Sequence, residues 1–210
     1  MRHIEKGEPL PDFVRFVERG KPRRWEDIHD QPELYRACRD RILEEQGMLG
    51  AYTERPLSNS QSLHIDHFRK KGMPWQHDMT FDWRNLVVED RSSDFGACYK
   101  DNNTSKVSDY DMLINPVEEY PERMMTYLAN GEITARADMD ERDRQRSDFT
   151  ISRFNLNHGK LVRMRSSVIE VVAACTQLTD DEIRHAMSLS GFPSVVEWAL
   201  DARRKLNELK

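Results

Sequence analysis

Apolar residues recur at helical spacing near the start of the chain and predict two helices. The first is expected over residues 12–20, with Asp12 as its N-cap and Gly20 at its end. The second is expected to begin at Pro32 and to end at Gly47. The apolar positions that lie three or four residues apart are Phe13, Phe16 and Val17 in the first helix and Leu34, Cys38 and Ile42 in the second. The N-terminal part is therefore expected to be helical.

The last third of the chain has the same periodicity. Its apolar positions form one stripe of a long helix: Leu161, Met164, Val168, Val171, Val172, Cys175 and Leu178. Two S/T-x-x-E patterns, Thr179 to Glu182 and Ser194 to Glu197, are typical of helix N-termini and predict two further helices. Two interpretations of the stripe stay open, a docking surface for a partner protein and a face buried in the molecule's own core.

The centre of the chain changes to a period of two. Apolar and polar residues alternate over residues 63–66 (Leu-His-Ile-Asp), which is typical of a half-buried strand. Residues 85–88 are a second strand candidate, and residues 92–106 offer either a helix or irregular turns. The expected order is strand, loop, strand and helix.

Composition narrows the class of protein. The chain has 210 residues, of which 38% are hydrophobic and 33% charged, enough apolar content for a modest folded core. With the patterns above, this predicts an α+β protein that is mostly helical. We expect three segments packed as one compact domain: an N-terminal helical segment 1–56, a central unit 57–110 and a mainly helical region 111–210.

Charge and cysteine content narrow the class of protein further. The net charge is −5, so any affinity for nucleic acid must come from a local basic patch. Residues 118–148 hold nine acidic and five basic side chains, and part of this stretch is expected to be a solvated surface loop. Cys38, Cys98 and Cys175 form no CxxC pair, which fits a reducing compartment. No segment resembles a secretion leader or a membrane span, so we expect a cytoplasmic protein that has no membrane partner.

Residues 63–71 bring two imidazoles, one carboxylate and three cations together within nine positions. An imidazole can accept a proton from water at neutral pH, and a carboxylate can hold a hard divalent cation. Arg69, Lys70 and Lys71 could then hold the phosphates of a substrate. These are the needs of metal-assisted phosphodiester hydrolysis. The alternative is that surface or core histidines precede a solvated basic turn.

At this point the sequence resembles the HNH endonuclease superfamily. The pair Asp66-His67 matches the family's acid-His pair, Asn85 matches its central asparagine, and the NTSK run at 103–106 matches its N-x-x-K ending. The resemblance implies a small ββα-metal nuclease unit, in which two antiparallel strands and a helix hold one metal ion.

The resemblance also implies a role for each matching residue. His67 would be the general base, and Asn85 would orient the base or its loop. Asp66 would be a metal ligand, and on the helix Asp101 and Asn103 are the favoured ligands, with Asn102 a competitor. The remaining assignments are His64 as a supporting residue or further ligand, and Arg69, Lys70, Lys71 and Lys106 as nucleic-acid-binding residues. Oxygen and amide ligands favour Mg²⁺ or Mn²⁺.

A narrower resemblance covers almost the whole chain. Five blocks occur in order: MRHIEKGEP, HIDHFRKK, FDWRNLVVED, LINPVEEYPERMMTYLANGEI and TISRFNLNHGKLVRMR. They are similar to the PtuB nuclease subunits of Septu and retron-associated anti-phage defence systems. This implies a PtuA-like ATPase partner and a nucleic-acid substrate. Some members of this group also act beside a retron reverse transcriptase and its RNA–DNA hybrid, which the resemblance implies as a possible further partner.

The sequence departs from the broader family at its zinc knuckles. Many relatives carry paired CxxC motifs around the strands, whereas residues 50–54 here contain no cysteine. Near the helix, Cys98 is present but position 101 is aspartate, so four-thiolate coordination cannot form. We therefore expect no structural zinc.

The function expected from these observations is a metal-dependent HNH endonuclease subunit of an anti-phage defence complex. One alternative is a catalytically silent adaptor of that complex. Another is a nuclease that cleaves RNA, such as tRNA, rather than DNA. The presence of Asp66, His67 and Asn85 together argues against the adaptor.

Overall fold

A computed structural model describes residues 1–57, 62–75 and 79–208. The helices are α1 Pro11–Gly20, α2 Pro32–Glu45, α3 Ala97–Asn103, α4 Pro121–Met124, α5 Glu141–Arg153, α6 Gly159–Ala174, α7 Asp180–Met187 and α8 Pro193–Glu208. The strands are β1 Leu63–His67, β2 Leu86–Asp90, β3 Met125–Tyr127 and β4 Ile133–Ala135. The fold is α+β and about half helical, as the sequence predicts, and it has two small antiparallel sheets, of which the sequence predicts only the first.

The strand, loop, strand and helix predicted for the centre of the chain are confirmed. Strands β1 and β2 pair antiparallel, with Ile65 opposite Val88 and His67 opposite Leu86. Helix α3 follows β2 after a short connection. The alternating pattern of β1 fits this pairing, since successive side chains of a strand point to opposite faces.

Side chains cover both outer edges of the β1–β2 sheet at its central residue pair. On β2, the Gln46 side-chain oxygen accepts the Val88 N–H at 2.7 Å, and the Gln46 amide donates to the Val88 carbonyl at 2.8 Å. On β1, the Ile65 N–H donates to the Tyr35 hydroxyl at 3.3 Å. At this residue pair, both backbone groups of Val88 and the N–H of Ile65 are therefore not free to pair with a further strand.

Two apolar clusters meet at this sheet. One joins the N-terminal helices to Ile65, Leu86 and Val88. The other joins Phe68 and Val87 to the helices of the C-terminal half. The sheet is thus covered on both faces, which explains why all three apolar residues of β2 are buried.

Of the three predicted helix N-caps, the structure confirms one and corrects two. Helix α1 begins at Pro11 after Leu10, so Asp12 lies in its first turn and is not its N-cap. The Thr179 capping box is confirmed at the start of α7. Ser194 lies inside α8, and its N–H donates to the Glu54 carboxylate at 3.0 Å, so it caps no helix.

Helix α6 is shorter than the predicted stripe because it ends at Ala174. The members of the stripe that face the core are Leu161, Val168 and Val172, whereas Met164, Val171 and Leu178 are exposed. At about 100° per residue, Met164 and Val171 lie roughly 60–80° around the helix from that buried face. Part of the stripe is therefore core, and the rest lies on the surface.

Arg165 occupies a position on the buried face of α6. Its guanidinium donates to the Gly131 carbonyl at 2.6 Å and to the Leu156 carbonyl at 2.8 Å. These bonds tie α6 to the turn between β3 and β4. That hairpin and the first part of α5 lie within residues 118–148, part of which was expected to be surface loop.

The turn between β3 and β4 approaches the backbone of α6 closely at Gly131. We expect Gly131→Ala to lower the free energy of unfolding by about 3 kcal/mol. Its φ is +87°, and a Cβ there would lie 2.4 Å from the Val162 carbonyl oxygen and 2.7 Å from the Ser166 nitrogen. Gly72 is the matched control, since its φ is +80° but a Cβ there would meet no atom of the described residues within 4 Å. Gly72→Ala should lose only about 1 kcal/mol, from backbone strain. Urea unfolding measures both, and equal losses would contradict the steric argument.

Within the described ranges, the helices are all too short or too polar to cross a lipid bilayer.

Candidate active site

The end of β1 and helix α3 border a cavity of about 290 Å³. Six predicted site residues line it: His64, Asp66, His67, Lys70, Lys71 and Asp101. The first three lie on β1, the two lysines follow it, and Asp101 lies on α3. The opposite wall comes from the 3₁₀ turn Trp25–Asp30 and the start of α2. The strand pairing and the position of α3 thus bring the predicted acid, base and helix-side ligand to one place.

Asp66 lies at the bottom of the cavity, where it is 5% exposed. Its Oδ2 atom accepts hydrogen bonds from the Tyr52 hydroxyl at 2.6 Å and from Lys100 Nζ at 2.9 Å. Both partners are fully buried. A buried carboxylate needs such partners because removing its charge from water is unfavourable.

Lys100 is the central cation of this cluster. Its Nζ also donates to the carbonyl oxygens of His67 at 2.7 Å and Phe68 at 3.0 Å, and it lies 3.1 Å from Asp101 Oδ1. The side chain is 0% exposed. One ammonium therefore holds helix α3 to the end of β1 and offsets part of the negative charge of two carboxylates.

The ionisation of these groups follows from burial and charge. Burial alone would raise the pKa of Asp66, but Lys100 and the Tyr52 hydroxyl together hold it below the usual value. Burial and the charge of Asp66 raise the pKa of Asp101, against the influence of Lys100. Burial favours the neutral form of Lys100, but the Asp66 and Asp101 carboxylates outweigh it and raise the pKa of the ammonium. At neutral pH the Asp66–Lys100 pair is ionised.

His67 is held in one orientation by its surroundings. Its Nε2 lies 2.9 Å from the Thr80 carbonyl oxygen, and its ring contacts the Trp25 ring edge-on, with centroids 4.7 Å apart. A carbonyl can only accept a hydrogen bond, so Nε2 carries the proton and Nδ1 of the neutral ring is an acceptor. Burial lowers the pKa of His67. The residue is therefore neutral at pH 7, with one nitrogen able to take a proton.

His64 lies on the same strand and lines the same cavity. Its Nδ1 lies 3.1 Å from the Glu89 carbonyl oxygen, and burial lowers its pKa. By the same reasoning, Nδ1 carries the proton and Nε2 is an acceptor. His64 thus contributes a neutral imidazole to the cavity.

Asn85 does not line the cavity but bonds to the backbone of the loop between β1 and β2. Its amide nitrogen donates to the Arg69 and Met79 carbonyls, both at 3.0 Å, and its side-chain oxygen accepts the Arg69 N–H at 2.7 Å. These bonds fix both ends of the loop, next to the Thr80 carbonyl that contacts His67. The position agrees with an orienting role.

The three candidates on the helix side are placed differently. Asp101 lines the cavity, whereas Asn102 and Asn103 are exposed and do not. The Asn103 amide donates to the Tyr99 carbonyl of its own helix at 2.8 Å. Neither Asn103 nor Lys106, the residue before the 3₁₀ turn Val107–Asp111, lines the cavity.

The three cations that follow His67 already have partners. Arg69 makes two hydrogen bonds to the Glu118 carboxylate, at 3.1 and 3.2 Å. Lys70 donates to the Asp101 carbonyl at 2.9 Å, and Lys71 pairs with Glu26. Lys70 and Lys71 still line the cavity, whereas Arg69 does not.

Asp66 and Asp101 fit a hard divalent cation. Asp101 Oδ1 is buried and has no hydrogen-bond partner in the part of the chain that the structure describes. Mg²⁺ is normally held by one or two carboxylates, with water and substrate oxygens completing its shell. Among the described residues, no group of three or more His, Cys, Asp or Glu side chains converges as a metal site. A cation here would rely on one or both carboxylates and on water.

Six residues of this site were not predicted from the sequence: Trp25, His29, Tyr35, Tyr52, Arg91 and Lys100. Tyr52 and Lys100 are far from Asp66 in sequence, and no periodicity marks a lysine as buried. Arg91 lines the cavity and directly follows β2, so its position at a strand end was the one available signal.

Glu89 is buried on β2 beside this site, and we expect it to make stability depend on pH. Its carboxylate accepts the Tyr52 N–H at 3.0 Å and the Thr53 hydroxyl at 3.2 Å, and burial raises its pKa from 4.5 to about 7. Below pH 4.5 the group is neutral in both folded and unfolded chains. Between pH 4.5 and about 7 the unfolded chain ionises first, so stability falls by roughly 3 kcal/mol as pH rises.

The measurement is the free energy of unfolding in urea between pH 4.5 and 7.5. Glu89→Gln should remove this fall with pH, whereas Glu5→Gln, at an exposed position, should keep it. An unchanged slope in Glu89→Gln would contradict the assignment.

No protein-family model matches this chain, and no curated protein matches it significantly. The nuclease interpretation therefore depends on the sequence motifs and on the geometry of the cavity.

Proposed function

We propose that this chain is a metal-dependent endonuclease subunit of the HNH type, which hydrolyses phosphodiester bonds in nucleic acid. The observation that carries the proposal is His67, a neutral imidazole of fixed tautomer that lines a cavity together with the ionised Asp66. The strand, strand and helix arrangement supports it, because it brings Asp66, His67 and Asp101 together from distant parts of the chain.

In the proposed reaction, His67 acts on a water molecule in the cavity. Nδ1 takes a proton from the water as its oxygen attacks phosphorus, and the bond to the leaving oxygen breaks. The positive charge on the imidazole is stabilised by Asp66, and its Nε2–H stays bonded to the Thr80 carbonyl. Asn85 keeps the loop that carries this carbonyl in position.

A divalent ion, Mg²⁺ or Mn²⁺, would be held by Asp66 and Asp101, and it would polarise the phosphate and stabilise the leaving oxygen. Lys100 keeps these carboxylates in place through its contacts with both. Lys70 and Lys71 would lie near the flanking phosphates.

The proposed setting is an anti-phage defence complex with a PtuA-like ATPase, as the sequence resemblance implies. A chain of net charge −5 with one short basic segment has weaker affinity for nucleic acid alone than it would have with a basic partner. The ATPase would add to this affinity or control it. A retron reverse transcriptase with its RNA–DNA hybrid is the further proposed component.

The test is cleavage of plasmid DNA and of total tRNA, by the chain alone and by the chain co-purified with its ATPase partner. Each reaction is run with Mg²⁺, with Mn²⁺ and with EDTA. We expect cleavage in the presence of the metal and none in EDTA. Cleavage of tRNA alone would assign an RNA substrate. Intact DNA and RNA under every condition, with the complex still formed, would overturn the proposal in favour of the adaptor.

A further inference from the structure

The groups proposed to react lie at the bottom of the cavity. His67 is 4% exposed, and the cavity around it holds about 290 Å³. This volume is at the lower end of the range for small-molecule pockets, about 300–1,000 Å³. It suits one nucleotide unit rather than a length of duplex.

The reacting groups can be reached only from the mouth of the cavity, because Asp66 and His67 are 5% and 4% exposed. At the rim, Lys71 lines the cavity and pairs with Glu26 on the 3₁₀ turn Trp25–Asp30. A phosphate of a rigid duplex is fixed between stacked neighbours, so it cannot turn inward to these buried groups. A single strand can rotate one phosphate and its nucleoside into the cavity.

The cavity walls have the two chemistries that bind a single strand. One wall carries His29 and Tyr35, whose rings lie 4.9 Å apart. Arg91 also lines the cavity and is exposed. No ion pair or side-chain hydrogen bond involves the Arg91 guanidinium within the described ranges. Single-strand-binding proteins combine stacking rings with cations that follow the backbone.

The two rings are tilted by 44°, so a base can stack on only one of them, and His29 is the exposed one. We infer that the substrate is a single-stranded or unpaired segment of nucleic acid, with one base stacked on His29 beside Tyr35 and the adjacent phosphate held by Arg91. The inference rests on the proposed nuclease function and names the class of its substrate. It assigns a binding role to two exposed residues, His29 and Arg91, that lie outside the matched motifs.

The experiment measures binding by fluorescence anisotropy with the full chain carrying His67→Gln, which prevents cleavage. The probes are a labelled 12-nucleotide single-stranded DNA, the RNA of the same sequence, and the corresponding DNA duplex. We expect the single strands to bind at least about tenfold more tightly than the duplex. The two single-stranded probes distinguish DNA from RNA.

Three further variants in the same background locate the site. His29→Ala and Arg91→Ala should each weaken binding of the single strand by about five- to tenfold. Arg142→Ala, an exposed arginine on α5 that does not line the cavity, should leave it unchanged. Exposed positions are chosen so that each variant folds.

Failure of this inference is distinguishable from failure of the proposed function. Equal or tighter binding of the duplex would overturn the inference, as would an effect of Arg91→Ala no larger than that of Arg142→Ala. Cleavage by the wild-type chain would then still support a nuclease. A chain that binds single strands as expected but cleaves no nucleic acid with any metal would overturn the nuclease proposal alone.

Discussion

Replacement of His67 by glutamine is expected to slow phosphodiester cleavage by about 10²–10⁴-fold, the usual contribution of a general base. Glutamine keeps a polar side chain of similar length but has no group that takes a proton near pH 7. The measurement is the single-turnover rate of cleavage on the substrate found for the wild-type chain. The large effect is expected because His67 is a neutral ring of fixed tautomer that lines the same cavity as Asp66, and because it is the histidine that matches the family's acid-His pair.

His67 also contributes to packing, because its ring lies against Trp25. The cleavage assay is therefore accompanied by a thermal melt, which separates loss of chemistry from loss of folding. His185→Gln, at an exposed position on α7, is the matched control and should cleave at the wild-type rate. A folded His67→Gln chain that cleaves at the wild-type rate would refute the assignment of the base.

Replacement of Lys100 by methionine is expected to lower the free energy of unfolding by about 3–5 kcal/mol. Methionine has a similar length but no charge, so the variant leaves Asp66 and Asp101 without their shared cation. The carbonyls of His67 and Phe68 also lose their donor. Removing one partner of a buried ion pair leaves an uncompensated charge, which is more unfavourable than removing both. For a chain of this size, the melting temperature should fall by roughly 10 °C.

Lys106→Met is the matched control, because Lys106 is exposed three residues after α3 ends. Its melting temperature should stay within about 1 °C of the wild type, as is usual for surface changes. The double variant Lys100→Met, Asp66→Asn should recover part of the stability, since the buried charge of Asp66 is then absent. Equal melting temperatures for Lys100→Met and Lys106→Met would contradict the central role of Lys100.

Sequence patterns predicted the elements whose burial follows a simple period. Alternation identified β1, and residues spaced three or four apart identified α2 and α6. The hairpin of β3 and β4 was missed because three-residue strands are too short to show a period. Helix α5 was missed because nearly all of its early residues are charged, and it is held by a few contacts such as the buried Thr150.

The residues of the candidate site also divide into those that sequence patterns identified and those that they did not. Asp66 and His67 were identified from local sequence, and the structure brings them to one cavity with Asp101. Lys100 could not be identified, because its burial depends on four oxygen atoms contributed by β1, the loop after it and α3. Asn103 matched the motif by spacing, but its position at the last residue of α3 carries its side chain away from the cavity.

The covered edges of the β1–β2 sheet restrict how other chains can associate with this one. Many proteins recruit a partner, or aggregate, by adding a strand to an open sheet edge. The Gln46 amide and the Tyr35 hydroxyl occupy the central backbone groups on the two edges. A partner that added a strand to this sheet would have to displace one of these side chains, so this sheet favours association through side-chain surfaces over strand addition.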